Sequence, residues 1–324
     1  MNNLKAFWYT KSMKAFIFDP LWTELVTDEL TSNLAQAGIE IILVSEIAPL
    51  SDCKALFEGD EDRILCLNPD YVGWKVSVDD YKDIPNLKGI FGAATSFSWI
   101  DTSYANENNI PVCNIRNFST QAVAEWAMTM MFNLARQTPR LIKDDFPLDF
   151  DKDFMKYRGV ELKGKTAGIV GLGNIGSAIA KRCEGLGMNV VYWSQSPKET
   201  EYERKELVDL FATADVVFPT MAINDETKQL ITPKLITSMK SSAMLVTIVH
   251  GLFDDQTALD MVKDDKLFGF GFEAKAGAFK SYEGNVWAAP EYAWTTDGSM
   301  TNSMVKWTEN MINAAKGEFP NKVN

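Results

Sequence analysis

Gly171-Leu172-Gly173-Asn174-Ile175-Gly176 has the spacing G-x-G-x-x-G. This spacing suits a backbone that must wrap a pyrophosphate. The first glycine makes a tight turn, and the second lets the main chain approach the phosphates. The third allows a helix to pack closely on a strand, and the helix N-terminus faces the anion. The context agrees, because the apolar run Ala167-Gly168-Ile169-Val170 precedes the motif and a helical segment, Ser177–Leu186, follows it. A dinucleotide, NAD or NADP, is the expected cofactor. The next strand, Asn189–Trp193, runs into Ser194-Gln195-Ser196-Pro197-Lys198. No carboxylate stands there to take a ribose diol. A serine-rich turn with a lysine can accept a 2′-phosphate, although the arginine that often serves is absent. NADP is therefore expected at least as much as NAD. Backbone contacts alone would leave the turn nearly indifferent between the two.

A second centre of chemistry is set by scarcity. The chain holds one histidine, His250, so no histidine-cluster metal site can be built and a mechanism has at most one imidazole. Four cysteines, Cys53, Cys66, Cys113 and Cys183, include no C-x-x-C pair. They are expected as free buried thiols in a reducing compartment, the cytoplasm, and no metal site is expected.

The elements that must position these residues form two series. Candidate strands Lys14–Asp19, Glu40–Ser45, Arg63–Leu67, Leu87–Gly92 and Val112–Ile115 alternate with helical stretches, one of them Glu24–Ala37. This β-α-β rhythm implies a parallel sheet with helices on its faces. Gln121–Arg136 carries a stripe of Ala122, Val123, Trp126, Ala127, Met130, Met131 and Leu134, the pattern of a long packed helix. Residues 137–163 mix prolines, charges and aromatics, as a connector or arm would. From Lys165 the rhythm restarts in Thr166–Val170, Asn189–Trp193, Asp215–Pro219, Met244–Val249 and Phe268–Phe272. These near-continuous apolar runs suit strands buried on both faces.

A length of 324 residues suits two domains. Acidic residues outnumber basic ones, 44 to 32, for a net charge of −12. That sign disfavours binding to nucleic acid or to anionic membranes. No apolar run is long enough for a membrane span. Met13 opens the first strand pattern, so the natural start is read as either Met1 or Met13.

The layout resembles the D-isomer-specific 2-hydroxyacid dehydrogenase family, over about residues 14 to 324. The segments that carry the likeness are Val112-Cys113-Asn114 with Ser119–Glu125, Leu162–Gly176, Ala214–Thr227, Met239–Gly251 and Asn285–Trp294. The resemblance implies two doubly wound parallel-sheet domains of α/β class. A Rossmann-type cofactor domain, 111–290, would be inserted in a flavodoxin-like substrate domain made of 1–110 and 291–324. It also implies a homodimer in which 121–163 embraces the partner.

The resemblance further implies an arginine, a glutamate and a histidine in catalysis. In this chain the corresponding positions are His250, Ala278 and Glu291. Imidazole is not equivalent to guanidinium, which is always charged and grips a carboxylate with two hydrogen bonds. A nearby carboxylate favours imidazolium, so His250 and Glu291 form a candidate acid–base dyad. Thr95 and Ser96 occupy the turn where backbone amides would hold substrate, Arg116 is a candidate replacement cation, and Trp294 is a candidate apolar wall. Val249 and Glu273 are assigned to the nicotinamide side of the cofactor site, with Gly171, Gly173, Asn174, Ile175 and Gly176 on the phosphates and Ser194 and Gln195 at the ribose. The leading expectation is an NAD(P)-dependent oxidoreductase for a small carbonyl or hydroxy compound, shifted away from ordinary 2-keto acids. A catalytically inactive dinucleotide-binding sensor or scaffold is the alternative, and a cleft used for non-redox chemistry is a third reading.

Overall fold

The structure is a computed structural model that describes residues 12–44, 50–146, 155–228, 230–274 and 277–324. Residues 1–11, which bear on the choice of start, and 147–154 of the connector lie outside the described residues. The chain forms two compact units, Met1–Ser119 with Asp297–Asn324, and Thr120–Thr296. The sequence reading instead changed units at 110 and 290. The first division falls later because Val112–Cys113 pairs with the sheet of the first unit. The second falls later because the turn after residue 290 folds back, the Ala293 N–H donating to Glu273.

The first unit holds a five-stranded parallel sheet of β1 (Met13–Phe18), β2 (Ile39–Leu43), β3 (Asp62–Leu67), β4 (Leu87–Gly92) and β5 (Val112–Cys113). Its order is β2-β1-β3-β4-β5, the flavodoxin-like arrangement. The strands alternate their side chains between two apolar layers. Ala15, Ile17, Ile64 and Cys66 pack with the helices Asp28–Gln36 and Asp297–Ala315, while Phe16, Phe18, Leu65 and Leu67 face the other side. Trp307 is fully buried against Trp22, and its indole N–H donates to the Phe91 carbonyl at 3.0 Å. The expected helix Glu24–Ala37 is two helices, Trp22–Leu25 and Asp28–Gln36. Thr27 breaks it, because its extended backbone and side-chain oxygen cap the second helix at Leu30 N.

The second unit holds a seven-stranded parallel sheet. Its strands are β6 (Thr166–Val170), β7 (Asn189–Trp193), β8 (Glu203–Arg204), β9 (Val216–Pro219), β10 (Met244–Val246), β11 (Gly269–Glu273) and β12 (Val286–Ala289). The order is β12-β11-β10-β9-β6-β7-β8. The direction of winding reverses between β6 and β9, the switch point of a Rossmann sheet. The helices Thr120–Ala135 and Asn174–Gly185 cover one face, and Leu207–Thr213, Pro233–Thr237 and Asp255–Lys263 cover the other. Glycines of β11 admit the long helix closely, since a Cβ on Gly271 would stand 3.2 Å from both Leu134 and Met130. Its expected stripe is buried apart from the half-buried Trp126. All four cysteines are buried, and burial pushes the Cys113 and Cys183 thiols up to about 12. Among the described residues no helix is long and apolar enough to cross a membrane.

Candidate functional site

The carboxyl ends of the second sheet line up the groups in question. Ligands of open α/β sheets bind outside this edge, at the switch point. The glycine loop leaves β6 there. Gly171 has φ +102°, a conformation that favours glycine, and its N–H donates to Trp193 O at 2.8 Å. A Cβ on Gly176 would collide with the Gly171 carbonyl and stand 2.8 Å from Thr220 Oγ1. Thr220, a residue the sequence reading did not single out, also donates to Gly171 O at 2.7 Å and so locks the turn. Open space faces the missing Cβ of Gly173, which is exposed and caps the helix Asn174–Gly185. This is a cradle that a side chain would fill, ahead of a 12-residue helix whose N-terminus favours an anion. The residues present therefore fit a dinucleotide pyrophosphate over Gly171–Gly176, with Asn174 exposed and Ile175 half-buried at the helix start.

At the end of β7, Ser194 is 6% exposed and its hydroxyl donates to Ser196 O at 2.6 Å. Gln195 is exposed, and its amide donates to Glu226 at 2.9 Å. A side chain from outside the turn also reaches it. Arg204 of β8 donates to Ser194 O through Nε and Nη2, at 3.3 and 3.1 Å. A two-residue edge strand leaves almost no trace in the sequence, which is why this contact was missed.

Along the same edge, β10, β11 and β12 deliver the other cluster. His250 follows β10, Glu273 ends β11 and Glu291 follows β12. His250 Nε2 lies 3.5 Å from Glu291 Oε1 and 3.7 Å from Glu273 Oε2. The expected pair is thus joined by a second carboxylate, one the sequence reading had assigned to the cofactor. Glu273 is 7% exposed, and its other oxygen accepts from Ala293 N at 3.0 Å. Glu291 and Trp294 are exposed, while His250 is about half exposed. The His250 pKa is raised, first by its interaction with Glu273. Burial opposes this, and the charges of Glu291, Glu273 and Asp255 add to it. Burial raises the carboxyl of Asp255, with His250 opposing and Asp254 adding. Val249 borders the histidine, and Thr247 Oγ1 accepts from its N–H at 3.2 Å. Ala278 opens a short 3-10 turn and contributes no acid.

Thr95, Ser96 and Arg116 belong to the first unit. Thr95 and Ser96 are exposed on the turn after β4, and Asn114 donates to Thr95 O. Arg116 is exposed, and its Nε donates to Asn114 Oδ1 at 3.2 Å. Within that unit Asn114 therefore links the turn to the candidate cation.

Comparison with known proteins agrees with this architecture. Residues 128–293 match the model of the D-isomer specific 2-hydroxyacid dehydrogenase NAD binding domain. A glyoxylate reductase of Thermococcus litoralis is 30% identical over 320 residues, covering 90% of this chain and 94% of that protein. A glycerate dehydrogenase of Methylorubrum extorquens is 32% identical over 206 residues, 61% of this chain, and the match spans 64% of its own length, less than two thirds. In fold, the NAD-complexed D-isomer specific 2-hydroxyacid dehydrogenase of Lactobacillus delbrueckii ssp. bulgaricus superposes with a TM-score of 0.79 at 21% identity, over 97% of this chain and all of that one (100%). With an NAD-binding domain matched across half its length and a full-length relative beside it, the chain belongs to the D-isomer-specific 2-hydroxyacid dehydrogenase family.

Proposed function

We propose that the protein is an NAD(P)-dependent oxidoreductase that interconverts a small hydroxy compound and its carbonyl, with His250 exchanging the proton of the substrate oxygen. The supporting observation is the imidazole set between Glu273 and Glu291, on the same sheet edge as the glycine loop. When bound, the nicotinamide supplies or accepts hydride at the substrate carbon. Glu273, buried and anchored by Ala293 N, holds Nε2 and favours the imidazolium. Nδ1 is then left to give its proton to a carbonyl oxygen, or to take one from a hydroxyl. Glu291 acts on the same ring from the solvent side.

His250, Glu273, Glu291 and Asp255 surround the reacting position with more negative than positive charge. A substrate carboxylate would meet repulsion there, without an arginine's bidentate grip. Relatives are named for glyoxylate and glycerate, yet pyruvate and glyoxylate should be poor substrates of this protein. Uncharged or differently charged carbonyls should be better, with Trp294 as a proposed substrate contact on this unit; Thr95, Ser96 and Arg116 are proposed separately as substrate-binding residues of the first unit. The proposed assembly is a homodimer through the long helix and the segment after it, where Phe132, Phe146 and Met155 expose apolar surface.

The test is reduction of glyoxylate, pyruvate and a panel of uncharged hydroxyketones with NADH and with NADPH. Turnover of an uncharged carbonyl with a higher kcat/KM than glyoxylate supports the proposal. Tight cofactor binding without turnover of any carbonyl contradicts it and favours the sensor or scaffold reading.

A further inference from the structure

Arg204 stands beside the turn that follows β7. β8 adds to the edge of β7 in parallel register, with Arg204 opposite Tyr192. Lys205 N donates to Tyr192 O at 2.8 Å and closes this short ladder. The ladder holds the Arg204 guanidinium against the carbonyl of Ser194, the first residue past β7. A guanidinium carries five N–H donors. Two are spent on Ser194 O, at 3.3 and 3.1 Å, which leaves three in a fixed plane. Its Nη1 stands 3.6 Å from Glu206, whose side chain is 73% exposed, so that ion pair is solvent-screened and easily exchanged. The Arg204 side chain is itself 34% exposed and open to a ligand.

In a sheet of this type the residue ending the second strand of the nucleotide half meets the adenosine ribose. An acid there takes the 2′-hydroxyl, whereas a nearby arginine takes a 2′-phosphate. Here the strand end is Ser194-Gln195-Ser196, and the Ser194 hydroxyl is turned inward onto Ser196 O. The carboxylate touching this turn, Glu226, comes from the loop after β9 and is engaged by the Gln195 amide. We propose that Arg204 binds the 2′-phosphate of NADPH and makes this protein select NADPH over NADH. This rests on the dinucleotide site at Gly171–Gly176 and is independent of the chemistry at His250.

The experiment is a fluorescence titration of the full chain with NADPH and with NADH, for wild type, Arg204→Ala and Arg204→Lys. A charge-assisted contact of this kind is worth roughly tenfold or more in affinity. Wild type should bind NADPH about tenfold or more tightly than NADH. Arg204→Ala should remove that preference and leave NADH within about twofold, and Arg204→Lys should restore part of it, since a lysine keeps the charge and loses the fork. Equal weakening of both cofactors by Arg204→Ala would make Arg204 a strut for the β7 end and overturn the proposal. Wild-type preference for NADH, with Glu226 serving the ribose diol, would overturn it as well. In both cases NADH binding leaves the glycine-loop site standing, whereas no binding of either cofactor removes that site and the proposal together.

Discussion

His250 Nε2 faces Glu273 Oε2 at 3.7 Å, from the strand end next to the one that carries the glutamate. The register of β10 on β11 makes this approach, with Val246 opposite Gly271 and Thr247 N donating to Gly271 O. A carboxylate as buried as Glu273 needs compensation. The Ala293 N–H supplies part of it, and the nearby carboxylate in turn raises the His250 pKa. The proposed proton exchange at His250 therefore involves Glu273, with the exposed Glu291 3.5 Å from the same nitrogen.

The pH dependence follows from the sign of the His250 shift. Its folded-state pKa is raised, so the proton donor for carbonyl reduction persists above the ordinary imidazole pKa of about 6.5. The kcat/KM for reduction should fall only as pH rises through that raised value. Glu273→Gln should move the basic limb to lower pH. The same linkage makes the His250 contribution to stability complete below about pH 6.5 and lost as pH rises through the folded pKa. Melting temperatures of wild type and His250→Gln should therefore converge in alkaline buffer. Parallel curves at all pH values would show that the shift is absent.

Glu291→Gln tests the charge argument. Removing one exposed carboxylate beside the histidine should raise kcat/KM for glyoxylate by roughly threefold to tenfold, the scale of one screened charge contact. An uncharged carbonyl should gain nothing. The comparison is made at fixed cofactor and low salt, because added salt weakens the effect.

Two glycine variants separate binding from folding. Gly173→Ala places a methyl where the chain leaves open space, so its melting temperature should match wild type while NADH and NADPH bind about tenfold or more weakly. Gly176→Ala drives a methyl into the Gly171 carbonyl and toward Thr220, and should lose stability as well as binding. Calorimetry and cofactor titration on both variants check this. Unchanged cofactor affinity in Gly173→Ala would argue against a pyrophosphate at that glycine.

Trp307→Ala should destabilise the first unit by about 3–5 kcal/mol, the usual cost of deleting a large buried aromatic. Trp307 is fully buried, stacks edge-on with Trp22 and caps the Phe91 carbonyl. Denaturant unfolding followed by fluorescence reads this loss. Cofactor titration should show the glycine loop, carried on the other unit, still competent in the folded variant.

Much of this was legible in the sequence, for a physical reason. Strands buried on both faces are largely apolar along their length, so Thr166–Val170, Asn189–Trp193 and Leu87–Gly92 stand out in the sequence with their observed limits, polar only near their starts. The glycine loop was legible because its steric demands admit few other residues. Glu273 as the partner of His250 was not, since their meeting depends on the register of two parallel strands rather than on local spacing. Arg204 was hidden in the same way, behind a two-residue strand. The break at Thr27 was missed because one capping hydroxyl outweighed the helical spacing around it.

The most direct test of the central claim is kcat/KM for wild type and His250→Ala on the best uncharged carbonyl, with cofactor affinity measured on the same preparations. The account predicts a loss of about 10²–10⁴ in kcat/KM, the usual scale of general acid catalysis, with cofactor affinity unchanged within about twofold. Activity of His250→Ala within about twofold of wild type would contradict a role for His250 in moving the proton.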